Sequence, residues 1–226
     1  IHLAHCPERI DPGSEDEWPL ESIPRVYGGV TPEAADRTRE FYSRLLDADL
    51  HEVENACTAA CTKIVENSFR DINIAFVNEL AKSLLGTDID VYDVLDGAGT
   101  KPYGFMQFEP GPGVGGHCIP VDPYMIINQS KREGYDHDFL QLARQINDGM
   151  PRQVMNHLQD VLNSLGMPIN GTRITQLGLS FKGGVGDLRY SPALKVKELL
   201  DDRDAEIESY DPYVPQESSL TEPYTG

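Results

Sequence analysis

Residues Glu109 to Tyr124 read EPGPGVGGHCIPVDPY, four glycines and four prolines around one His-Cys pair. Glycine weakens helices and strands, so such a cluster is kept where backbone bends sharply or approaches something closely. The flanking prolines stiffen the segment. A flexible linker would carry Gly and Ser without that rigidity and without the apolar flanks. The stretch therefore predicts a rigid loop that holds Cys118 against a ligand, set between elements firm enough to present it.

The elements on either side are helical. Upstream, Ile64, Phe69, Ile72, Phe76 and Leu80 recur at steps of three to five residues, an apolar stripe over several turns, with a stop at Gly86. Downstream, YMIINQSKREG and HDFLQLARQINDGMPRQVMNHLQDVLNSLG resume the helical period, and Pro151 either kinks the second segment or divides it in two. The first part of the chain differs. IHLAHC and IPRVYGGV have strand character, the latter ending in a Gly-Gly turn. TPEAADRTREFYSRLLD opens a helix with Thr31 as N-cap and Pro32 at the first helical position. After MPINGT the period changes again: RITQLGLSF is a strand, SPALKVKELLDD an amphipathic helix and AEIESYDPYVP a second strand, the start of a parallel α/β unit. The tail QESSLTEPYTG is expected to be poorly ordered. The first residue is not Met and lies in a strand, and the last sheet has only two strands, so the chain is expected to be a piece of a longer protein.

Charge narrows the partners. With 37 acidic and 19 basic residues the formal charge is −18, which repels nucleic acid and anionic membranes. The acids are scattered and lysine is scarce, as on salt-adapted, halophilic protein surfaces. No apolar run approaches the roughly 18 residues of a membrane span, and no signal peptide is expected. The four cysteines, Cys6, Cys57, Cys61 and Cys118, form neither a disulfide framework nor paired zinc knuckles. Cys57 and Cys61 share a helix face, but no histidine lies within a turn of them, so no metal site is expected.

Three constellations carry chemistry. Cys118 follows a glycine turn and stands just before a helix start, where a thiol pKa is lowered; Asp122 is one turn on. His117 is a possible base, although a side chain adjacent to the nucleophile usually points elsewhere. In TKIVENSFRDINIAFVNELA, Lys63 and Asn67 stand at i and i+4, where a cation and an amide on an otherwise apolar helix can bind an oxyanion. In CPERIDPG, Glu8 follows a strand and Pro7; on spacing alone it is a cap as readily as an acid-base group.

Together CPERIDPG, TKIVENSFRDINIAFVNELA, GPGVGGHCIPVDPY, INDGMP and LGLSFKGGVGDLRYSPAL resemble, in order and over nearly the whole chain, the UDP-glucose/GDP-mannose dehydrogenase family of nucleotide-sugar 6-dehydrogenases. The resemblance implies an α/β family member, here mainly an all-α central dimerisation domain flanked by the end of one Rossmann-like domain and the start of another. Residues 1–54 would close an NAD-binding domain, 55–168 would form the helical centre with its cysteine loop and long connecting helix, and 169–226 would begin the nucleotide-sugar-binding domain.

The same resemblance implies an NAD-dependent, four-electron oxidation of a UDP-sugar C6 hydroxyl. Cys118 matches the nucleophile that captures the aldehyde and then carries a thioester. Lys63 matches the lysine that stabilises oxyanions, Asn67 its companion, Asp122 the carboxylate that activates water or tunes the lysine, and Glu8 a glutamate for thioester hydrolysis. Glu109, Pro110 and Gly111, followed by Pro112, Gly113, Val114 and Gly115, match the segment that wraps the substrate. Lys182 matches a substrate contact from the third domain, and Arg189, like Cys118, lies toward NAD. Many relatives supply an arginine to the neighbouring subunit from the stretch before the loop; here that stretch, GTKPYGFMQF, has only Lys101. The motifs look most like the branch acting on UDP-N-acetylmannosamine or UDP-N-acetylglucosamine. UDP-glucose oxidation is the alternative within the family, and a non-catalytic dimerisation module the alternative outside it. A cysteine hydrolase would need a histidine base and an orienting carboxylate, for which only His117 is near. A homodimer and a cytoplasmic location follow from the family, with neither nucleic acid nor membrane as partner.

Overall fold

Thr31 begins the first helix as its residue type requires: in extended conformation, its hydroxyl accepts from the Ala34 N–H at 3.2 Å, and Pro32 follows. The computed structural model describes residues 1–219 apart from Pro12 and Glu15. Within them the chain is a helix-rich α/β protein that forms two compact units, Ile1–Asn67 and Ser68–Gly226.

The first unit holds strands β1 (Ala4–His5), β2 (Arg25–Gly29) and β3 (Leu50–Glu52), helix α1 (Pro32–Ser43) and the start of α2 (Ala56–Leu84). β1 pairs antiparallel with β2, and β2 pairs parallel with β3 through the α1 crossover. β2 is buried along its whole length. Gly28 and Gly29, expected to form a turn, are instead the last two residues of this strand and pair with His5 and Ala4. A Cβ on Gly28 would lie 2.2 Å from the Asn55 carbonyl oxygen, so the strand end accepts only glycine against the entry to α2. β3 carries no alternation and was not foreseen.

The second unit continues α2 and adds α3 (Val91–Gly99), α4 (Asp122–Arg132), α5 (Asp138–Ser164), β4 (Arg173–Leu177), α6 (Pro192–Asp201) and β5 (Glu206–Tyr210). The expected parallel unit is present: β4 and β5 pair from Arg173↔Glu206 to Leu177↔Tyr210, with α6 between them in sequence. Met155, Val196 and Leu200 form its buried centre, backed by Leu158, Ile174 and Ile207, so the end of α5 is built into this layer. Burying side chains as large as Met155 and Leu200 stabilises by about 2 kcal/mol each. Asp211 closes the sheet end, its carboxylate accepting from Leu179 N, Ser180 N and Ser180 Oγ at 2.8 to 2.9 Å and from Tyr213 N at 2.9 Å. Burial opposes its ionisation, but these donors outweigh that and hold its carboxyl below the ordinary value.

The structure decides three further points. Of the two outcomes expected at Pro151, division is excluded: α5 runs through it, and the ring deprives the Asn147 carbonyl of its helical donor. Along the apolar stripe on α2, Phe69 and Phe76 are 48 % and 58 % exposed and Ile64, Ile72 and Leu80 half-buried, whereas Asn67, Ser68, Asp71, Ala75, Val77 and Asn78 are buried. Asp71 and Asn78 turn inward where Arg144 and Asn147 of α5 meet them with hydrogen bonds. Lastly, the first residues of the tail are ordered by β5: Ser219 Oγ accepts from Ser209 N at 2.6 Å, and Ser218 Oγ from Asp211 N at 2.8 Å. Residues 220–226 of that tail lie outside the described residues.

Candidate active site

The turn that carries Cys118 closes on itself. Its carbonyl accepts from Val121 N at 3.0 Å and Asp122 N at 2.8 Å, so Cys118 lies one turn ahead of Asp122, the first residue of α4. Cys118 is half-buried and in no disulfide. The preceding glycines make their close approach to the protein itself. A Cβ on Gly115 would meet Phe181 Cβ at 2.4 Å and the Tyr190 carbonyl oxygen at 3.0 Å, and the Gly116 N–H donates to the Arg189 carbonyl at 2.8 Å. Gly113 has φ +129°, and a Cβ there would lie 2.9 Å from the Asn147 carbonyl oxygen that Pro151 leaves without a helical donor.

Arg189 belongs to the segment on which the glycines before Cys118 are seated. Asp187 accepts from its Nε at 3.0 Å and its Nη2 at 2.5 Å, and this pairing holds the Asp187 carboxyl at about 2. The hydrogen bond to Asp187 raises the Arg189 guanidinium, with a contribution from Cys118 alongside. The guanidinium is thus an oriented, permanent positive charge within electrostatic reach of Cys118. His117, exposed, adds to the field on Asp187. Lys182 is half-buried on the same segment as Phe181. A cavity of about 410 Å³ adjoins the loop, lined by Gly113, Val114, Asn147, Tyr190 and Lys195 among others; Cys118 is not part of its wall.

Underneath the loop lies a buried polar network that the sequence reading missed. Arg144 Nη1 donates to Asp71 Oδ1 at 2.6 Å, and Arg144 Nη2 pairs with Asp148. Asn147 Nδ2 donates to Asp71 Oδ1 at 2.8 Å and to the Asp71 carbonyl at 2.9 Å. Asn78 Nδ2 donates to Asn147 Oδ1 at 3.0 Å, and the Gly111 N–H donates to Asn78 Oδ1 at 2.8 Å. Burial pushes the Asp71 carboxyl up, against the pull of Arg144 and Asn147. The signal was present in the sequence: Asn147 and Asp148 belong to INDGMP, and polar residues at 71 and 78 recur on one helical face.

In the first unit, Lys63 is half-buried and Asn67 buried, one turn apart on α2. Glu8 sits on a loop tied to this helix by its neighbour Arg9, whose Nη2 pairs with Glu66 Oε1 at 2.8 Å. The Glu8 carboxylate accepts from Arg9 N at 2.7 Å, Ile10 N at 2.9 Å and the buried Arg25 Nη1 at 3.0 Å. Burial would raise its carboxyl, but Arg25 and the two backbone donors prevail and lower it. Glu8 is therefore a fixed anion. Lys101 stacks its ammonium 4.8 Å from the Tyr103 ring centre. Among the described residues no group of three or more His, Cys, Asp or Glu is placed to hold a metal ion, and no helix is long and apolar enough to cross a membrane.

Comparison with known proteins adds independent findings. Residues 57–149 match the model of the UDP-glucose/GDP-mannose dehydrogenase family, central domain, and residues 175–225 that of the UDP binding domain of the same family. A UDP-N-acetyl-D-glucosamine 6-dehydrogenase of Pseudomonas aeruginosa is 36% identical over 96% of the chain, and a UDP-N-acetyl-D-mannosamine dehydrogenase of Pyrococcus horikoshii 37% identical over 95%. A solved structure of the UDP-D-ManNAc dehydrogenase from Pyrococcus horikoshii superposes with a TM-score of 0.87 at 36% identity, covering 94% of this chain and 49% of that one. The chain spans about half the length of the curated relatives it matches, 51% and 50% for the first two.

Proposed function

The chain belongs to the UDP-glucose/GDP-mannose dehydrogenase family, and on that premise we propose that the protein is an NAD-dependent UDP-sugar 6-dehydrogenase acting on a UDP-N-acetylhexosamine. The observation that carries this reading is the Cys118 turn, which presents a thiol one helical turn before Asp122 on a loop that the Gly116 N–H ties to the Arg189 carbonyl. The N-acetylated sugar is favoured because the relatives described above are named for UDP-N-acetylglucosamine and UDP-N-acetylmannosamine.

NAD, when bound, supplies the hydride acceptor for both oxidations. Arg189 suits its phosphates: the guanidinium is exposed, held in orientation by Asp187, and its Nη1 has no partner among the described residues. Loss of hydride and a proton from the C6 alcohol gives the aldehyde. Cys118 sulfur then bonds to the aldehyde carbon, and its proton ends on the oxygen, giving a thiohemiacetal. A second loss of hydride and a proton leaves a thioester. Water attacks that carbon, the C–S bond breaks, and the thiol and the uronate result. Lys63 and Asn67 act on the oxygen where negative charge develops. Asp122 and the ionised Glu8 act on the attacking water, as proton acceptors.

In this reading residues 1–54 belong to the NAD-binding domain, 55–168 to the helical centre and 169–226 to the UDP-sugar domain, with the exposed Phe69 and Phe76 face forming a homodimer contact. Glu109 to Gly115 and Lys182 line the sugar nucleotide. The test is NAD reduction by the full-length protein with UDP-N-acetylmannosamine, UDP-N-acetylglucosamine and UDP-glucose. Two NADH per molecule of an acetylated sugar are expected; turnover confined to UDP-glucose would sink the substrate assignment, and no turnover with any would sink the enzyme reading.

A further inference from the structure

The Gly-Pro loop is hydrogen-bonded to the buried network through the Gly111 N–H. We propose that Asn78 is a positioning residue for the Cys118 loop, setting the loop through Gly111 without touching substrate or cofactor. The inference rests on the reading of Cys118 as nucleophile.

The argument begins with cost. Asn78 is 0% exposed, and a buried amide is unfavourable unless its donors and acceptors are met. Two packed helices could be joined at this point by a leucine just as well, since Asp71, Arg144 and Asn147 already fasten α2 to α5. What an apolar residue could not do is accept the Gly111 N–H. The orientation of that acceptor is also fixed from a distance. Asn147 Nδ2 donates to two oxygens of Asp71, so Asn147 Oδ1 must face Asn78. Asn78 therefore turns Nδ2 to Asn147 and leaves Oδ1 for Gly111. A carboxylate at one end of the chain of amides thus selects which atom meets the loop at the other.

Pro110 and Pro112 on either side of Gly111 limit how far the segment can relax. Gly113 lies against the carbonyl of the same Asn147, and Gly115 and Gly116 are seated on Phe181 and Arg189. Successive anchors lead to Cys118, and Asn78 supplies the first.

Three substitution arms in the full-length protein test this, with the alkylation rate of each cysteine read by peptide mass. The readout requires no turnover, so it can fail while the dehydrogenase reading stands, and the reverse. In Asn78→Leu the loop loses its acceptor. The Cys118 rate relative to Cys57 should depart from wild type by at least about threefold, the scale of one lost hydrogen bond, while Cys6 and Cys61 keep theirs. Asn78→Ser, a smaller change that also loses the reach to Gly111, should move the ratio in the same direction.

Asn78→Asp separates positioning from packing. Protonated, its carboxyl donates to Asn147 Oδ1 and accepts from Gly111; ionised, it faces the Asn147 Oδ1 oxygen and adds a negative charge beside the Asp71, Asp148 and Arg144 network, with Lys82 one turn further along α2. The ratio in Asn78→Asp should match wild type at low pH and depart from it as pH rises. A change in Asn78→Leu below threefold overturns the proposal. If Asn78→Leu and Asn78→Ser do not fold, the Asp arm decides, and a variant-to-wild-type ratio independent of pH overturns it.

Discussion

The backbone N–H of Gly116 donates to the carbonyl of Arg189 at 2.8 Å. One hydrogen bond thereby joins the loop of the candidate nucleophile to the segment that carries Arg189 and Asp187. Because Arg189 is also clamped by Asp187, the charge and the thiol are held by the same short stretch of chain. A mutation on either side should be felt on the other.

The first prediction concerns the reaction itself. In the full-length protein, Cys118→Ala should form no sugar acid, while Asp122→Asn should accumulate a covalent adduct on Cys118, visible by intact mass. Lys63→Ala should slow both oxidations by about 3 kcal/mol, or two orders of magnitude, if the lysine acts as one oxyanion donor. Sugar acid at a near-normal rate from Cys118→Ala would remove the central assignment.

The second follows from the clamp. The hydrogen bond from Arg189 lowers the Asp187 carboxyl from 3.8 to about 2. A lowered acid contributes stability above its unfolded value, and that contribution is lost as pH falls toward the folded one. The pair should therefore be intact above about pH 4 and weaken from there to about pH 2. A carboxyl titration by NMR should give this low midpoint, and Arg189→Gln should return it toward the ordinary value. An ordinary midpoint in the wild type would mean that the clamp does not form in solution.

A third prediction is steric. In Gly115→Ala the added methyl would stand 2.4 Å from Phe181 Cβ and 3.0 Å from the Tyr190 carbonyl oxygen, backbone that cannot swing aside. Overpacking of this kind costs about 1–3 kcal/mol, read as a lower denaturant midpoint. Gly111→Ala should be milder sterically, because nothing lies within 4 Å of a Cβ there. Equal losses at the two sites would show that the loop does not dock on Phe181.

The fourth addresses assembly. Phe69, Phe76 and Met106 are exposed around an apolar hollow that also involves Phe105 and Phe108. If two chains meet on this face, Phe76→Glu should give monomers by light scattering, with little change in the melting of each chain. The measurement belongs in high salt, which screens the repulsion between chains of charge −18. A wild-type monomer under those conditions would exclude the interface.

Much of this protein was legible from residue order alone. Thr31-Pro32 announced α1, the 3.6-residue period announced α2 and α5, and RITQLGLSF with AEIESY announced the parallel pair of strands, because capping and periodicity are local properties. The cysteine loop was equally visible, since only glycine and proline at that density make a rigid irregular segment. Short β3 was not, having three residues and no alternation.

What only the tertiary structure decided is which face of α2 turns inward. The Ile64 to Leu80 stripe leaves Phe69 and Phe76 exposed, and the buried side carries Asp71 and Asn78, because α5 brings Arg144 and Asn147 to meet them. A polar residue is buried only where a partner from a distant part of the chain satisfies it, and no local pattern records that partner. The same holds for the glycines. The sequence by itself determined that something must come close to Gly113, Gly115 and Gly116. Only the packed chain shows that Asn147, Phe181 and Arg189 do so, since contact across such a separation depends on where the helices and strands come to rest.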